Sequence, residues 1–343
     1  MTKMKNIPTI SKKNDLTNFL LDKSFKKIFI ITGNNSFYKS GIYKILNSKK
    51  INKEIKFFFK KSQLPILVEL KKIILSIEVF KPDLILAAGG GSVIDYAKIA
   101  NVIKYSDCSS DNIIKSNLNL SKKTKLAVVP TTAGSGAEVT SNAVIYINKI
   151  KYSVESEKLI PDNFFLIAEY IKGLKKSIKS SSGFDAISQS IESLMSLKST
   201  KESIVFAKKS LNFSLINYLN FYKNPTNLNT SAMCIAANLS GKAINISKTI
   251  APHAVSYPFS VYYNLSHGHA VSLNLEKFLL FNFLNQDKSL ASFDLKLRYE
   301  ILFQIFKVND IFSLCKKINL LKKRTNLNDN YKTLGININS SIN

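Results

Sequence analysis

In the first half of the chain, short continuous apolar runs alternate with stretches whose apolar residues recur at helical spacing. Residues 27–33 (KIFIITG) are β-branched and aromatic and end in turn residues, the pattern of a buried strand. A helical pattern begins over 41–46, and 55–59 reads as a second strand. Residues 66–79 place apolar side chains on one helical face, and Pro65 suits the start of that helix. Residues 82–88 form a third strand that runs into Gly89, Gly90, Gly91 and Ser92, followed by a helical stretch to about Val102. Residues 125–129 are a fourth strand, closed by Pro130. Alternation of this kind predicts a parallel sheet covered by helices on both faces.

After about Ser177 the strand pattern stops. Helical periodicity runs over 184–197, 203–219, 232–247, 273–283, 295–308 and 311–321. The expected organisation is an α/β nucleotide-binding domain over 1–177 and an all-helical domain over 178–343. The polar, Asn-rich tail after Arg324 is expected to fray.

With 343 residues, 45% of them apolar, the chain has the stock of a two-domain globular protein. No segment is apolar for long enough to span a membrane, and the N-terminal stretch lacks the apolar core of a secretion signal, so a cytoplasmic protein is expected. Three scattered cysteines make neither a disulfide framework nor a CxxC metal site. The net charge is +26, yet only Arg298 and Arg324 are arginine among 49 basic residues. Lysines spread along the whole chain argue for solvated faces and against a nucleic-acid interface, which concentrates charge and uses arginine forks. The surplus suits steering of an anionic cofactor or substrate.

Three constellations carry candidate chemistry. In residues 89–98 (GGGSVIDYAK), glycines at a strand end let backbone approach a phosphate, and the helix that follows offers free N–H groups. The spacing is neither that of the Rossmann GxGxxG nor that of a P-loop. Residues 130–140 (PTTAGSGAEVT) put hydroxyls and glycines after the next strand, where ligands of parallel sheets bind. The three histidines of the chain, His253, His267 and His269, fall within 17 consecutive residues. Asp185 and Gln189 stand at i and i+4 on one helix and could join two histidines around Fe²⁺, Zn²⁺ or Mn²⁺.

Together GGGSVIDYAK, PTTAGSGAEVT, GFDAISQSIES, APHAVSYP and SHGHA resemble the iron-containing, group III alcohol dehydrogenases, whose fold dehydroquinate synthase shares. The resemblance covers roughly residues 26–282. It implies an active site in the cleft between a nucleotide-binding domain and a helical domain, a homo-oligomer, and NAD or NADP with a divalent metal, Fe²⁺ above all. Carried over residue by residue, Gly90, Gly91 and Ser92 would hold the pyrophosphate, with Asp95 and Lys98 nearby. Thr131, Thr132 and Ser135 would contact the rest of the dinucleotide. Asp185, His253 and His267 fall on three metal-ligand positions, and Gln189 on the fourth, where the family usually has histidine.

This sequence also departs from the family. A family histidine that shares in proton transfer is Tyr257 here, and His269 is a candidate replacement. Gly33 stands where many members have the aspartate that binds the adenosine ribose, so NADPH is admitted as well as NADH. The chain ends soon after Ile336, earlier than typical members, which implies a shortened C-terminal region. The strings DAISQSIES and GKAINISKTIAPHAVSYPFS are similar to the phosphonoacetaldehyde reductase subgroup, which also carries the glutamine. That implies reduction of a small aldehyde to a primary alcohol, phosphonoacetaldehyde to 2-hydroxyethylphosphonate. Lys248, five residues before His253, is the candidate anchor for such an anion on chemical grounds. The alternatives are a general alcohol or polyol dehydrogenase and a nucleotide-binding protein with a decayed metal site.

Overall fold

The apolar runs of the first half become the strands of one parallel sheet in the computed structural model, which describes residues 7–337. The strands are β1 (Lys27–Gly33), β2 (Glu54–Lys60), β3 (Leu84–Gly89), β4 (Lys125–Pro130) and the short β7 (Asn163–Phe164), in the order β2-β1-β3-β4-β7. β1, β3 and β4 are buried along nearly their whole length, and a strand buried on both faces has no polar side, which is why they read as continuous apolar runs. Phe29, Ile31, Ile85, Ala87, Leu126 and Val128 face the helices Leu67–Phe80 and Gly91–Val102. Their chain neighbours Ile28, Ile30, Leu84, Leu86, Ala127 and Val129 face the other way, onto Leu16, Leu20, Phe37 and Tyr170.

The sequence pattern did not predict the antiparallel hairpin β5 (Asn142–Ile147) and β6 (Ile150–Glu155). Its two-residue turn, Asn148-Lys149, has positive φ at both residues, 48° and 67°. That is the geometry of the hairpin turn whose twist matches the strands.

The chain divides into two compact units. One runs to Thr132 and resumes over Gly136–Leu174; the other takes in Ala133–Ser135 and the described residues from Lys175 onward. The second unit is built around the helix Lys176–Met195, which begins eight residues before its expected start and is buried on nearly all sides. Helices Lys201–Lys223, Asn227–Ser247 and His267–Ser272 pack on it. The histidine-bearing passage is three short helices, Ala251–Ala254, Tyr257–Tyr262 and His267–Ser272.

The start of the tail does not fray. Thr325, Leu327 and Ile336 are buried, and Ser180 Oγ donates to the Thr325 carbonyl at 2.7 Å. The residues after 337 lie outside the described region. Among the described residues no helix is long and apolar enough to cross a membrane.

Candidate active site

The helix Lys176–Met195 presents Asp185, Gln189 and Glu192 at i, i+4 and i+7, one face over two turns. Small residues let other helices approach this face. A Cβ on Gly268 would lie 2.0 Å from the Ser181 carbonyl oxygen and 2.8 Å from Asp185 Cβ. Only glycine lets the helix His267–Ser272 lie this close, and that contact brings His267 to Asp185.

Asp185 Oδ1 lies 3.3 Å from His253 Nε2 and 3.9 Å from His267 Nε2. One ligand atom from each of the three residues lies within 4.8 Å of the other two. Asp185 Oδ1 and His253 Nε2 are buried and have no hydrogen-bond partner. Buried polar atoms are rarely left so, because desolvation without a partner is costly. Two such atoms turned toward each other, with a second imidazole beside them, fit a divalent cation bound by oxygen and nitrogen donors. The side chains of Asp185 and His253 are 6% and 5% exposed, but that of His267 is 40% exposed, so the centre is open on one side.

Glu192 fixes the orientation of His253. One of its oxygens hydrogen-bonds Nδ1 of His253, which leaves Nε2 directed at Asp185. The other accepts from the main-chain N–H of Ile250 at 2.8 Å and of His253 at 3.4 Å. The carboxylate therefore caps the helix Ala251–Ala254, whose own N-cap residue, Ile250, has no side-chain acceptor. Burial pushes the His253 imidazole down, but Glu192 and then Asp185 outweigh it and carry the group up to about 10. Burial would raise the Asp185 carboxyl; His267, then His253 and Gln189, hold it below the usual carboxylate range. Both effects describe a site that favours positive charge.

Gln189 is buried beside these ligands. Its Oε1 accepts from Ser240 Oγ at 2.9 Å, and its Nε2 faces the Ser135 carbonyl at 3.5 Å. Tyr257 stacks parallel to the His267 ring with centroids 5.9 Å apart. His269 is turned elsewhere: its Nε2 donates to the Asn328 carbonyl at 2.6 Å, so that nitrogen is committed to the C-terminal segment. Lys248 lies at the end of the helix Asn227–Ser247.

In the first unit the two nucleotide-type loops come together. Thr131 N donates to the Gly89 carbonyl at 2.9 Å, and a Cβ on Gly90 would sit 3.3 Å from Thr132 Oγ1. A Cβ on Gly89 would meet Val93 at 2.5 Å, so strand and helix approach this closely only through glycine. The helix Gly91–Val102 opens here with Gly91 and Ser92, whose N–H groups have no partner within the helix. This cradle fits a pyrophosphate.

Asp95 is half-buried; burial pushes its carboxyl up to about 6, against the pull of Lys98 and a hydrogen bond from the Val144 backbone. Lys98, expected beside the pyrophosphate, is wholly buried. Its Nζ donates to the carbonyls of Ala137, Thr140 and Asn142 at 3.0, 2.6 and 2.7 Å and to Thr140 Oγ1 at 2.9 Å. It ties the second loop to the helix instead of offering its charge to a ligand. Gly33 ends β1 with open room, the nearest atoms to a Cβ being Ser36 Oγ at 3.7 Å and Lys60 Cγ at 3.9 Å. Packing does not require glycine there.

The pattern of motifs missed Glu192, Gly268 and Ser240. The signal for Glu192 was its place seven residues after Asp185, on the same helical face.

Comparison with known proteins matches residues 11–167 to the iron-containing alcohol dehydrogenase model and residues 179–341 to the C-terminal model of the same family. The chain belongs to the iron-containing alcohol dehydrogenase family. Among the relatives of this family member, a 4-hydroxybutyrate dehydrogenase of Clostridium kluyveri is 32% identical over 191 residues, 54% of this chain and 51% of the relative. A phosphonoacetaldehyde reductase of Streptomyces viridochromogenes is 28% identical over 216 residues, 60% of this chain and 55% of the relative. The matched region thus spans about half the length of these relatives. A solved sulfoacetaldehyde reductase from Bifidobacterium kashiwanohense, in complex with NAD+, shares the fold with a TM-score of 0.81 at 22% identity. That match covers 99% of this chain and 90% of that one.

Proposed function

We propose that this family member is a metal-dependent NAD(P)H oxidoreductase that reduces a small aldehyde bearing an anionic group to the primary alcohol. Phosphonoacetaldehyde, giving 2-hydroxyethylphosphonate, is the first substrate to test. The observation that carries this reading is the convergence of Asp185, His253 and His267, with buried donors on the first two that lack hydrogen-bond partners. The names of the relatives support the substrate class, since 4-hydroxybutyrate, phosphonoacetaldehyde and sulfoacetaldehyde are all small and anionic.

When bound, a divalent ion would supply Lewis-acid polarisation of the aldehyde oxygen, and NAD(P)H would supply the hydride. The residues of the chain do the rest. Glu192 holds the His253 ring in one orientation through Nδ1, which would leave Nε2 directed at a bound ion. Asp185 and His253 form a dry floor, and His267 with the Tyr257 ring forms the half-exposed wall through which substrate enters. The overall change consumes one aldehyde, one NAD(P)H and one proton. His269 Nε2 is committed to Asn328, so water on the open side of His267 delivers that proton. Gly33 places no carboxylate against an adenosine 2′-phosphate, which supports use of NADPH as well as NADH.

The test is oxidation of NADPH and NADH with phosphonoacetaldehyde, sulfoacetaldehyde, succinate semialdehyde and propanal, with Fe²⁺, Mn²⁺, Zn²⁺ or a chelator added. Chelator-sensitive turnover that favours the anionic aldehydes is the expected result; equal use of propanal would reject the substrate class. One observation favours a second reading, a nucleotide-binding protein with a weakened metal site: the Gln189 amide oxygen is held by Ser240. Folded protein that binds dinucleotide but turns over no aldehyde with any metal would favour it.

A further inference from the structure

The helix His267–Ser272 has 6 residues, under two turns, and a helix that short holds its shape only through its neighbours. It carries His267, the most exposed of the three metal-site side chains. Its N-cap residue, Ser266, makes no side-chain bond to the first turn. The N–H of the third residue, His269, finds its acceptor on another helix, at Ser181 Oγ, 3.1 Å away. Ser181 stands one turn before Asp185 on the helix Lys176–Met195.

The His269 ring makes a second tie. Its Nε2 lies 2.6 Å from the Asn328 carbonyl, and a carbonyl only accepts, so this nitrogen carries the proton. The segment that holds Asn328 is braced within itself. Asn328 Oδ1 accepts from Asn330 N at 3.0 Å, and Asn328 Nδ2 donates to Thr333 Oγ1 at 2.5 Å. The same region grips the far end of the short helix. Buried Lys322 donates to the Ser272 carbonyl at 3.2 Å and pairs with Glu276 at 2.8 Å and Asp329 at 3.2 Å. The Tyr331 hydroxyl donates to Asn274 Oδ1 at 3.1 Å, and its ring lies 6.0 Å from that of Phe259.

We propose that His269 is a positioning residue: bonded to Ser181 through its main chain and to Asn328 through its ring, it makes the C-terminal segment a strap that holds His267 beside Asp185. Gly268 lets the helix come close, and the strap keeps it there. A ligand that must be ordered on binding gives a weaker site than one already in place. This inference rests on the reading of Asp185, His253 and His267 as a metal centre and adds what fixes its most exposed member.

The experiment measures Co²⁺ affinity by competition with a chromophoric chelator, and the metal-free thermal midpoint, for wild type, His269→Leu and His269→Gln. Leucine cannot donate to Asn328, whereas glutamine keeps a donor nitrogen at the reach of Nε2. His269→Leu binds Co²⁺ about 5- to 30-fold more weakly, with a midpoint within about 4 °C of wild type. His269→Gln stays within about 3-fold of wild type. A purely structural role lowers the midpoint and leaves the affinity of the folded protein unchanged. Should His269→Leu not fold, His269→Asn, whose shorter amide does not reach Asn328, takes its place with the same expectation. The strap is overturned if His269→Gln is as weak as His269→Leu. It is also overturned, alone, if wild type and His269→Leu bind Co²⁺ equally. Wild type that binds no Co²⁺ overturns the metal centre itself and the strap's role with it.

Discussion

Glu192 serves two purposes with one carboxylate. It holds the His253 imidazole in the direction a metal ligand needs, and it caps the helix on which that histidine sits. Orientation of a ligand by an outer carboxylate affects metal affinity as well as geometry. Glu192→Gln keeps the shape and an acceptor for the helix but loses the charge behind the ring. Metal affinity in that variant, measured by competition with a chromophoric chelator, falls about 10- to 100-fold while the fold remains. Unchanged affinity would reduce Glu192 to a helix cap. Its role was hidden in the sequence because a glutamate on a helix is ordinarily a solvated residue. Only the three-dimensional return of Ile250 and His253 to this face shows otherwise. The ligands themselves were more legible, since an aspartate in a serine-rich helix and three clustered histidines are rare enough to stand out.

At the scale of elements, the site depends on how closely helices pack. The helix Lys176–Met195 carries buried serines whose hydroxyls bond within or between helices, as Ser188 Oγ does to the Phe184 carbonyl at 2.9 Å and Ser190 Oγ to Ser210 Oγ at 2.7 Å. The run Ser180-Ser181-Ser182-Gly183, just ahead of Phe184, suggests a loop by composition, and the helix was expected to start eight residues late. The hairpin β5–β6 escaped for a related reason. Its turn uses Asn-Lys where Asn-Gly is the usual signal, and lysine at φ 67° is not a recognisable turn residue. The buried strands were legible because nothing else makes short, continuous β-branched runs between helical periods. Gly268 allows the least tolerance in the packing. Gly268→Ala must displace a backbone carbonyl, which costs about 1–3 kcal/mol and pulls His267 away from Asp185. Calorimetry of this variant shows a lower midpoint and loss of the stabilisation that added metal gives wild type. Retention of that metal-induced shift would contradict the role assigned to the close contact.

Across the whole molecule, which carries a charge of +26 spread over lysines, a carboxyl pushed upward such as that of Asp95 shapes the response to pH. Asp95 has its carboxyl raised from 3.8 to about 6, first by burial, so between these values the folded state holds a proton the unfolded state has released. Stability therefore falls as pH rises through that window, and the penalty is fully present above about 6. Asp95→Asn removes the titration. The stability difference between Asp95→Asn and wild type, from denaturant melts, is near zero at the acid end of the window and grows to a plateau above it. A difference independent of pH would show that Asp95 titrates normally.

The measurement that tests the account most directly is the metal content of the purified protein after anaerobic dialysis against Fe²⁺, with His267→Ala alongside. His267 is half-exposed, so its truncation leaves the buried core intact. The account predicts about one ion per chain in wild type and almost none in the variant. No bound ion in wild type, or an equal content in both, would contradict the assignment of Asp185, His253 and His267 as a metal centre.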